Sequence, residues 1–146
     1  MHERSDVVEL RSSALDVAAA VAAAGDAGAG AIAMFLGTTR PETREDGRKL
    51  MGLEYEAYYE MAEAQMHRLA EEARRRWPIC RLVMLHRIGR VDVGQASVLI
   101  AVSTPHRAQG FEACRFLIDQ LKSEATIWKK EIWGDGSSTW VGTERD

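Results

Sequence analysis

Two lysines lie on either side of a tryptophan near the carboxyl end of the chain, in the segment LKSEATIWKKEIW at residues 121–133. Lys122 precedes Lys129 by seven residues, and Trp128 comes directly before Lys129. Two ammonium groups beside an aromatic ring can bind an anionic substrate, and a lysine can also act as a nucleophile or carry a proton. A solvated surface with one buried ring produces the same pattern more often, so this segment alone leaves both interpretations open.

The two lysines are predicted to lie on different elements. Residues 110–120 follow a helical period. Its inner stripe is expected to consist of Phe111, Cys114, Ile118 and Leu121. Residues 126–133 alternate like a strand. We therefore place Lys122 in the last turn of the helix and Lys129 on the next strand. The fold can then bring them closer than the roughly 10 Å that separates two turns of one helix.

A second group of cations comes at the start of the same helix. Thr104 is predicted to cap it, with Pro105 at its first position and His106 and Arg107 in its first turn. Cations there oppose the helix dipole, and a bound anion would offset that cost. From the sequence, an anion site at His106 and Arg107 and a simple exposed His-Arg pair are equally plausible. Arg40 follows a strand, where a functional and a plain surface arginine are equally frequent.

The composition indicates one soluble domain that spans residues 1–146. The net charge is −3 and the pI about 5.8, which disfavours nucleic acid as the main partner. Two cysteines without metal-ligand spacing indicate reduced thiols, and no metal or cofactor is predicted. The apolar run at 14–24 is too short for a membrane span and is not a signal peptide, so we expect a cytoplasmic protein without a membrane partner.

The order of patterns favours an α+β fold with mixed or antiparallel sheets and about three helices. Helices are predicted over 13–24, 59–77 and 104–122, and strands over 31–36, 50–58, 79–88, 96–103, 126–133 and 138–141. Residues 1–12 are expected to be loosely ordered or to form an edge segment, 41–49 to be a mobile surface loop, and 25–30 and 89–94 to be turns. A phosphate loop at 25–30 is disfavoured because no GxGxxG or GxxxxGK motif follows it and a strand pattern does. His86 and Arg87 end a strand, where a structural and a functional pair are equally plausible.

Seven segments share the order and spacing of one known family. They are FLGTTR (35–40), LEYEAYYEMA (53–62), RW (76–77), HRIGRVDVG (86–94), STPHR (103–107), FEACRFLIDQLK (111–122) and IWKKE (127–131). On these motifs the chain resembles the MoaE family, the large catalytic subunits of molybdopterin synthase. The likeness covers residues 30–141.

The resemblance implies a sulfurtransferase of molybdenum cofactor biosynthesis. The family converts cyclic pyranopterin monophosphate (precursor Z) to molybdopterin. The two sulfurs come from the C-terminal thiocarboxylate of a ubiquitin-like small subunit. The family's large subunit is a homodimer with a small subunit at each outer end, and its fold is an α/β hammerhead with an added antiparallel sheet.

The resemblance also assigns site residues. The catalytic pair maps onto Lys122 and Lys129. The substrate-anion residues map onto Arg40, His106 and Arg107, and the groove for the partner's tail onto Phe35, Trp128 and Lys130. We hypothesise that Lys122 transfers a proton and that Lys129 mainly binds anions, because a lysine among other cations releases its proton more readily. A non-catalytic module that binds the ubiquitin-like partner or a pterin phosphate is the alternative, and a general anion-binding domain is the third.

Overall fold

The computed structural model describes residues 6–141. In chain order its elements are β1 (Val7–Arg11), α1 (Val17–Ala24), β2 (Ala31–Thr38), β3 (Leu50–Ala57), α2 (Tyr59–Arg76), β4 (Arg81–Arg87), β5 (Gly89–Asp92), β6 (Ala96–Thr104), α3 (Arg107–Glu124), β7 (Ile127–Trp133) and β8 (Ser138–Trp140). The predicted helices are therefore present, and they separate groups of strands as an α+β fold requires.

The strands form two four-stranded sheets. The first has the order β1-β4-β6-β2 and is mixed, because β1 is parallel to β4 while the other pairs are antiparallel. The second has the order β5-β3-β7-β8 and is antiparallel throughout. The strand β6 is central in the first sheet and almost entirely buried, as its apolar sequence predicted.

Helices cover both faces of the first sheet. One face packs against α2 and α3 in the main core, and the other against the short helix α1. The helix α2 contributes an apolar stripe, in which Ala62, Met66, Leu69 and Ala73 are buried. Arg74, Arg75 and Arg76 lie in its last turn, where cations interact favourably with the helix dipole. The α2–α3 layer thus fixes the orientation of α3 over the sheet.

Two predicted irregular segments turn out to be strands. Residues 1–12 were expected to be loosely ordered, but Val7–Arg11 forms the edge strand β1 and pairs with β4, which confirms the edge alternative; residues 1–5 lie outside the described residues. Residues 89–94 were expected to be a turn, but Gly89–Asp92 forms β5 and pairs with β3. Both segments are short, and their partners lie far away in the sequence, so local pattern does not reveal them.

The helix starts also differ from the predictions. The helix that was predicted from residue 13 begins at Val17, and Asp16 caps it, because the Asp16 carboxylate accepts a hydrogen bond from the N–H of Ala19. His106 is the N-cap residue of α3. Thr104 instead donates its hydroxyl hydrogen to the carbonyl of His106 at 2.6 Å, which tightens the turn before the helix.

Two apolar predictions are wrong for the same reason. The strand β2 was expected to be buried, but it lies at the edge of the first sheet, and Ile32, Met34 and Leu36 on its outer face are exposed. Phe111 was expected on the inner stripe of α3, but 65% of it is exposed. Burial stabilises an apolar side chain. Its apolar character does not show, however, whether a surface of the same chain covers it.

Candidate active site

A pocket of about 250 Å³ opens where the carboxyl end of α3 meets the second sheet. The side chains that matter here are Tyr55, His86, Lys122, Thr126, Trp128 and Lys129, and we call the cavity that they line the lysine pocket. They come from β3, β4, α3, the α3–β7 connection and β7. The structure therefore brings both predicted catalytic lysines and the predicted groove residue Trp128 into one cavity.

Lys122 reaches the pocket from the last turn of α3, as predicted. Leu121 and Ile118 are buried in the main core and fix this end of the helix, whereas Lys122 itself is exposed. The ammonium group lies at the negative end of the helix dipole, which favours a cation by about 0.3–1 kcal/mol. The end of the helix thus holds a positive charge at the rim of the pocket.

Lys129 reaches the pocket from β7 and is half-buried. It lies directly opposite Tyr55 in the antiparallel pair of β3 and β7, so the two side chains share one face of the sheet. Tyr55 is buried. The strand pairing therefore fixes Lys129 beside an aromatic wall.

A short connection joins the elements that carry the two lysines. Thr126 in this connection donates both its backbone N–H and its hydroxyl hydrogen to Gln65 Oε1 of α2, at 2.8 and 3.1 Å. The Thr126 carbonyl accepts a hydrogen bond from the N–H of Tyr58 at 3.1 Å. Gln65 thus anchors the connection between the elements of the two lysines, although it lies outside the pocket.

His86 forms part of the pocket wall. Its Nδ1 lies 2.9 Å from the carbonyl oxygen of Arg87, and its ring makes an edge-to-face contact with Tyr55, with 4.9 Å between ring centroids. Burial lowers the pKa of His86 to about 4, and the charges of Lys122 and Lys129 contribute to that lowering. The ring is therefore neutral at physiological pH.

The predicted anion-binding residues do not converge with the lysines in one chain. His106 and Arg107 are exposed at the amino end of α3, about 22 Å from Lys122 by the helical rise. Arg40 is exposed too, but it lies at the same end of the first sheet as the lysine pocket. Its neighbour Thr39 pairs with Gln95, which comes just before the start of β6.

The other two predicted groove residues lie outside the pocket lining. Lys130 is on the opposite face of β7 from Lys129, with its ammonium 5.3 Å from the Trp140 ring centroid. Phe35 is 36% exposed and lies near Val98 of the pocket wall. A Cβ at Gly37 would be 3.2 Å from the Phe35 ring and 2.5 Å from Val98 Cγ1, and Val98 lines the pocket. Glycine at position 37 allows this close approach.

Three residues of the site were not selected from the sequence. His86 was left between a structural and a functional interpretation, and Tyr55 was not considered as a site residue. Gln65 gave no signal, because its partner Thr126 is 61 residues away. Strand periodicity points Tyr55 inward, but only the pairing of β3 with β7 places it against Lys129.

The described part of the chain contains neither a metal-type cluster nor a candidate membrane span. No cluster of three or more histidine, cysteine, aspartate or glutamate side chains there has the arrangement of a metal site. None of the helices between residues 6 and 141 is long and apolar enough to cross a membrane.

Comparisons with known proteins identify the family. The family model described as MoaE protein matches residues 10–124. A molybdopterin synthase catalytic subunit from Nostoc is 50% identical over 121 residues, which cover 82% of this chain and 72% of the relative. The human molybdopterin synthase catalytic subunit is 46% identical over 115 residues, which cover 79% of this chain and 60% of the relative.

Solved structures share the fold. The crystal structure of a molybdopterin synthase from Staphylococcus aureus superposes with a TM-score of 0.86 at 34% identity, covering 92% of this chain and 96% of that one. A molybdopterin biosynthesis MoaE protein from Burkholderia ambifaria superposes with a TM-score of 0.79 at 35% identity, covering 97% and 93%.

Proposed function

Because the chain belongs to the MoaE family, we propose that it is the catalytic subunit of a molybdopterin synthase and that precursor Z receives its two sulfurs in the lysine pocket. The observation that carries this proposal is that Lys122 and Lys129, on different elements, line one cavity. A non-catalytic module has no need for two lysines in a shaped pocket. The reaction belongs to molybdenum cofactor biosynthesis.

The two lysines have different roles in this proposal. Lys122 is exposed on a helix end and carries the proton that moves during sulfur transfer. Lys129 is half-buried beside Tyr55 and holds the anionic substrate or thiocarboxylate. A charge is worth more where water is partly excluded, so the less exposed lysine suits the binding role.

The sulfur donor is a ubiquitin-like small subunit with a C-terminal thiocarboxylate. Its extended tail enters the pocket past Trp128, which is 43% exposed at the mouth. Lys130 and Phe35 lie just beyond the lining, so in this proposal they contact the partner outside the cavity.

A second copy of the chain supplies the remaining cations. His106 and Arg107 of one chain lie about 22 Å from its own Lys122, too far for both groups to hold one small substrate. A homodimer resolves this separation if the amino end of α3 in one copy approaches the lysine pocket of the other. Arg40 completes the anion site from the pocket's own chain.

Reconstitution tests the activity. The protein is mixed with a thiocarboxylated ubiquitin-like small subunit and precursor Z, and molybdopterin is assayed. We expect product with the wild type and with Lys49→Ala, which removes an exposed lysine away from the pocket. Lys122→Ala should form the same complex, as detected by gel filtration, but should make little molybdopterin. A complex without product in the wild type would favour the binding module.

Mixed dimers test the shared site. A Lys122→Ala chain and an Arg107→Ala chain each have little activity when precursor Z is well below its KM for the variants, and the two chains are then co-expressed and assayed under that condition. If each site uses residues of both copies, half of the sites in every mixed dimer are intact, and random pairing restores about a quarter of the wild-type activity. If each site is built from one chain, every site carries a substitution and no activity returns.

We also place the enzyme in the cytoplasm. Cys80 and Cys114 are free thiols, and burial raises the pKa of Cys114 to about 11. Reduced cysteines are typical of cytosolic proteins.

A further inference from the structure

We propose that Arg44 is a positioning residue that anchors the segment after Arg40 to the second sheet, and so keeps Arg40 at the lysine-pocket end of the first sheet. The inference deepens the proposed function and rests on it, because it assigns a role in the binding of precursor Z through Arg40. Arg44 does not touch the substrate in this proposal. Its side chain holds the backbone that carries Arg40.

Residues 42–50 form a short hairpin, which we call the arm, where the sequence predicted a mobile surface loop. The backbone N–H of Leu50 donates a hydrogen bond to the carbonyl of Glu42 at 2.8 Å. Nearer the tip, the N–H of Arg44 donates to the carbonyl of Arg48, also at 2.8 Å. A two-stranded hairpin alone is at best marginally stable in water, so the arm depends on contacts with another part of the molecule.

Arg44 and Arg48 attach the arm to β7 through Trp133. Their guanidinium carbons lie 4.7 and 5.2 Å from the centroid of the Trp133 ring, within the range of a cation–π interaction. Arg44 also donates from Nη2 to Glu131 Oε1 at 3.1 Å. Trp133 is only 1% exposed and the Glu131 side chain 18%, so water screens these contacts less than it screens a surface pair. Arg44 therefore makes two contacts that hold the arm.

The groups that receive Arg44 are fixed by β8. The hydroxyl oxygen of Thr139 accepts a hydrogen bond from Trp133 Nε1 at 3.2 Å, and the hydroxyl hydrogen is donated to Glu131 Oε1 at 3.1 Å. Arg44, Glu131, Thr139 and Trp133 thus form a closed ring of contacts. The aromatic ring and the carboxylate are held in place by the sheet itself, so Arg44 binds a preformed site.

This anchor lies on the face of β7 that leads to the lysine pocket. Alternate residues of a strand share a face, so Lys129, Glu131 and Trp133 point to the same side of the sheet. By the rise of a strand, the two residues that Arg44 contacts follow Lys129 by roughly 7 and 13 Å. The arm is therefore attached next to the lysine pocket and on the same face.

Arg40 lies between two fixed points of the backbone. Before it, the N–H of Thr39 donates a hydrogen bond to the carbonyl of Gln95 at 3.0 Å. After it, Glu42 is held within the arm. While the arm is anchored, only residues 40 and 41 separate the two points. If the arm detaches, all of residues 40–49 can move, and ordering Arg40 around a substrate then costs more conformational entropy.

Two single variants separate the anchor from a general effect of a lost arginine. Arg44→Ala removes both contacts with β7, and it should still fold because 44% of the side chain is exposed. Arg90→Ala is the matched control. Arg90 lies in the same sheet, its side chain is 46% exposed, and it pairs with Asp92 of its own strand. Melting temperatures measured on both variants establish that they are folded.

Hydrogen exchange tests the anchor without an assay of activity. The backbone N–H groups of Gly47 and Leu50 are both donated to carbonyls within the arm. We expect these two groups to exchange at least about tenfold faster in Arg44→Ala than in the wild type, and at the wild-type rate in Arg90→Ala. Unchanged exchange in Arg44→Ala would overturn the proposal, whether or not the wild type makes molybdopterin.

A double-mutant cycle tests whether Arg44 acts through Arg40. We expect Arg44→Ala to raise KM for precursor Z roughly 3- to 10-fold with kcat within about twofold, and Arg40→Ala to raise KM further. The double variant should have the KM of Arg40→Ala alone, because the anchor has no effect once its target is gone. Arg90→Ala should keep the wild-type KM.

Two kinetic results would contradict this role. A wild-type KM in Arg44→Ala would show that the anchor does not serve Arg40. Effects of the two substitutions that multiply in the double variant would show that Arg44 acts independently of Arg40. If the wild type makes no molybdopterin, the proposed function fails, whereas the exchange rates still decide whether Arg44 anchors the arm.

Discussion

The two ends of α3 both carry cations, but the structure builds them differently. At the carboxyl end, Lys122 joins side chains of β3, β4 and β7 around one cavity, and Gln65 anchors the connection that follows. At the amino end, His106 and Arg107 are exposed, and His106 makes no capping hydrogen bond through its side chain. One end lines a cavity within a single chain, and the other presents charge outward.

The two ends illustrate two roles that a lysine or arginine can have in a binding site. A cation in a shaped cavity can take part in chemistry, because its distance to neighbouring groups is fixed. An exposed cation at a helix start adds electrostatic attraction, but it needs another surface before it can enclose a ligand. The comparison therefore predicts effects on turnover at the carboxyl end and on affinity at the amino end.

The largest effect is expected from the lysine pocket. Lys122→Ala should lower kcat about 10²- to 10⁴-fold, the usual loss when a general acid or base is removed. Lys129→Ala should instead act mainly on KM, because its proposed role is binding. Single-turnover and steady-state assays of molybdopterin formation separate the two. Full turnover in Lys122→Ala would show that Lys122 takes no part in the chemical step.

The pH dependence of stability tests whether the His86 ring in the lysine pocket is buried and neutral. The pKa of His86 is about 4 in the folded protein and ordinarily 6.5, so the unfolded state binds the proton more readily. As the pH falls from about 6.5 to 4, proton uptake by His86 in the unfolded state lowers the free energy of unfolding by up to about 3 kcal/mol. Urea unfolding of the wild type and His86→Phe should show the two stability curves differing in slope over this range. Parallel curves would contradict the burial of a neutral ring.

Substitutions at the amino end of α3 should change the affinity for precursor Z. Arg107→Ala should raise KM for precursor Z about 10- to 100-fold, the value of a hydrogen bond to a charged group, with kcat nearly unchanged. Arg115→Ala is the matched control, because Arg115 lies on the same helix and its side chain is 85% exposed. A loss of kcat equal to that of Lys122→Ala would abolish the distinction between the two ends.

The smallest effect on activity is expected at Gln65. Gln65→Leu leaves the Thr126 N–H without its partner, which should cost about 1–3 kcal/mol in the free energy of unfolding. The lysine separation would loosen, and we expect activity to fall roughly 3- to 10-fold. Gln120→Leu on α3 is the control, since the Gln120 side chain lies outside the lysine pocket. Unchanged stability and activity would show that Gln65 does not fix the connection.

Elements with strong local periodicity were predictable from the sequence. The stripe of α2 and the central strand β6 were predicted with nearly their observed bounds, because burial on one face repeats at the period of the element. The short strands β1 and β5 were missed, since only distant partners make them strands. The exposed face of β2 was mistaken for a buried one, because an apolar run does not reveal whether its strand lies at the edge.

The sequence by itself determined that Lys122 ends a helix and Lys129 lies on the next strand, because both assignments depend on spacing within one element. Only the tertiary structure decided which side chains surround them. Pairing of β3 with β7 placed Tyr55 opposite Lys129, and packing of β4 placed His86 in the same wall. The tertiary structure also separated His106 and Arg107 from the pocket, because a straight helix holds its two ends apart by its own length.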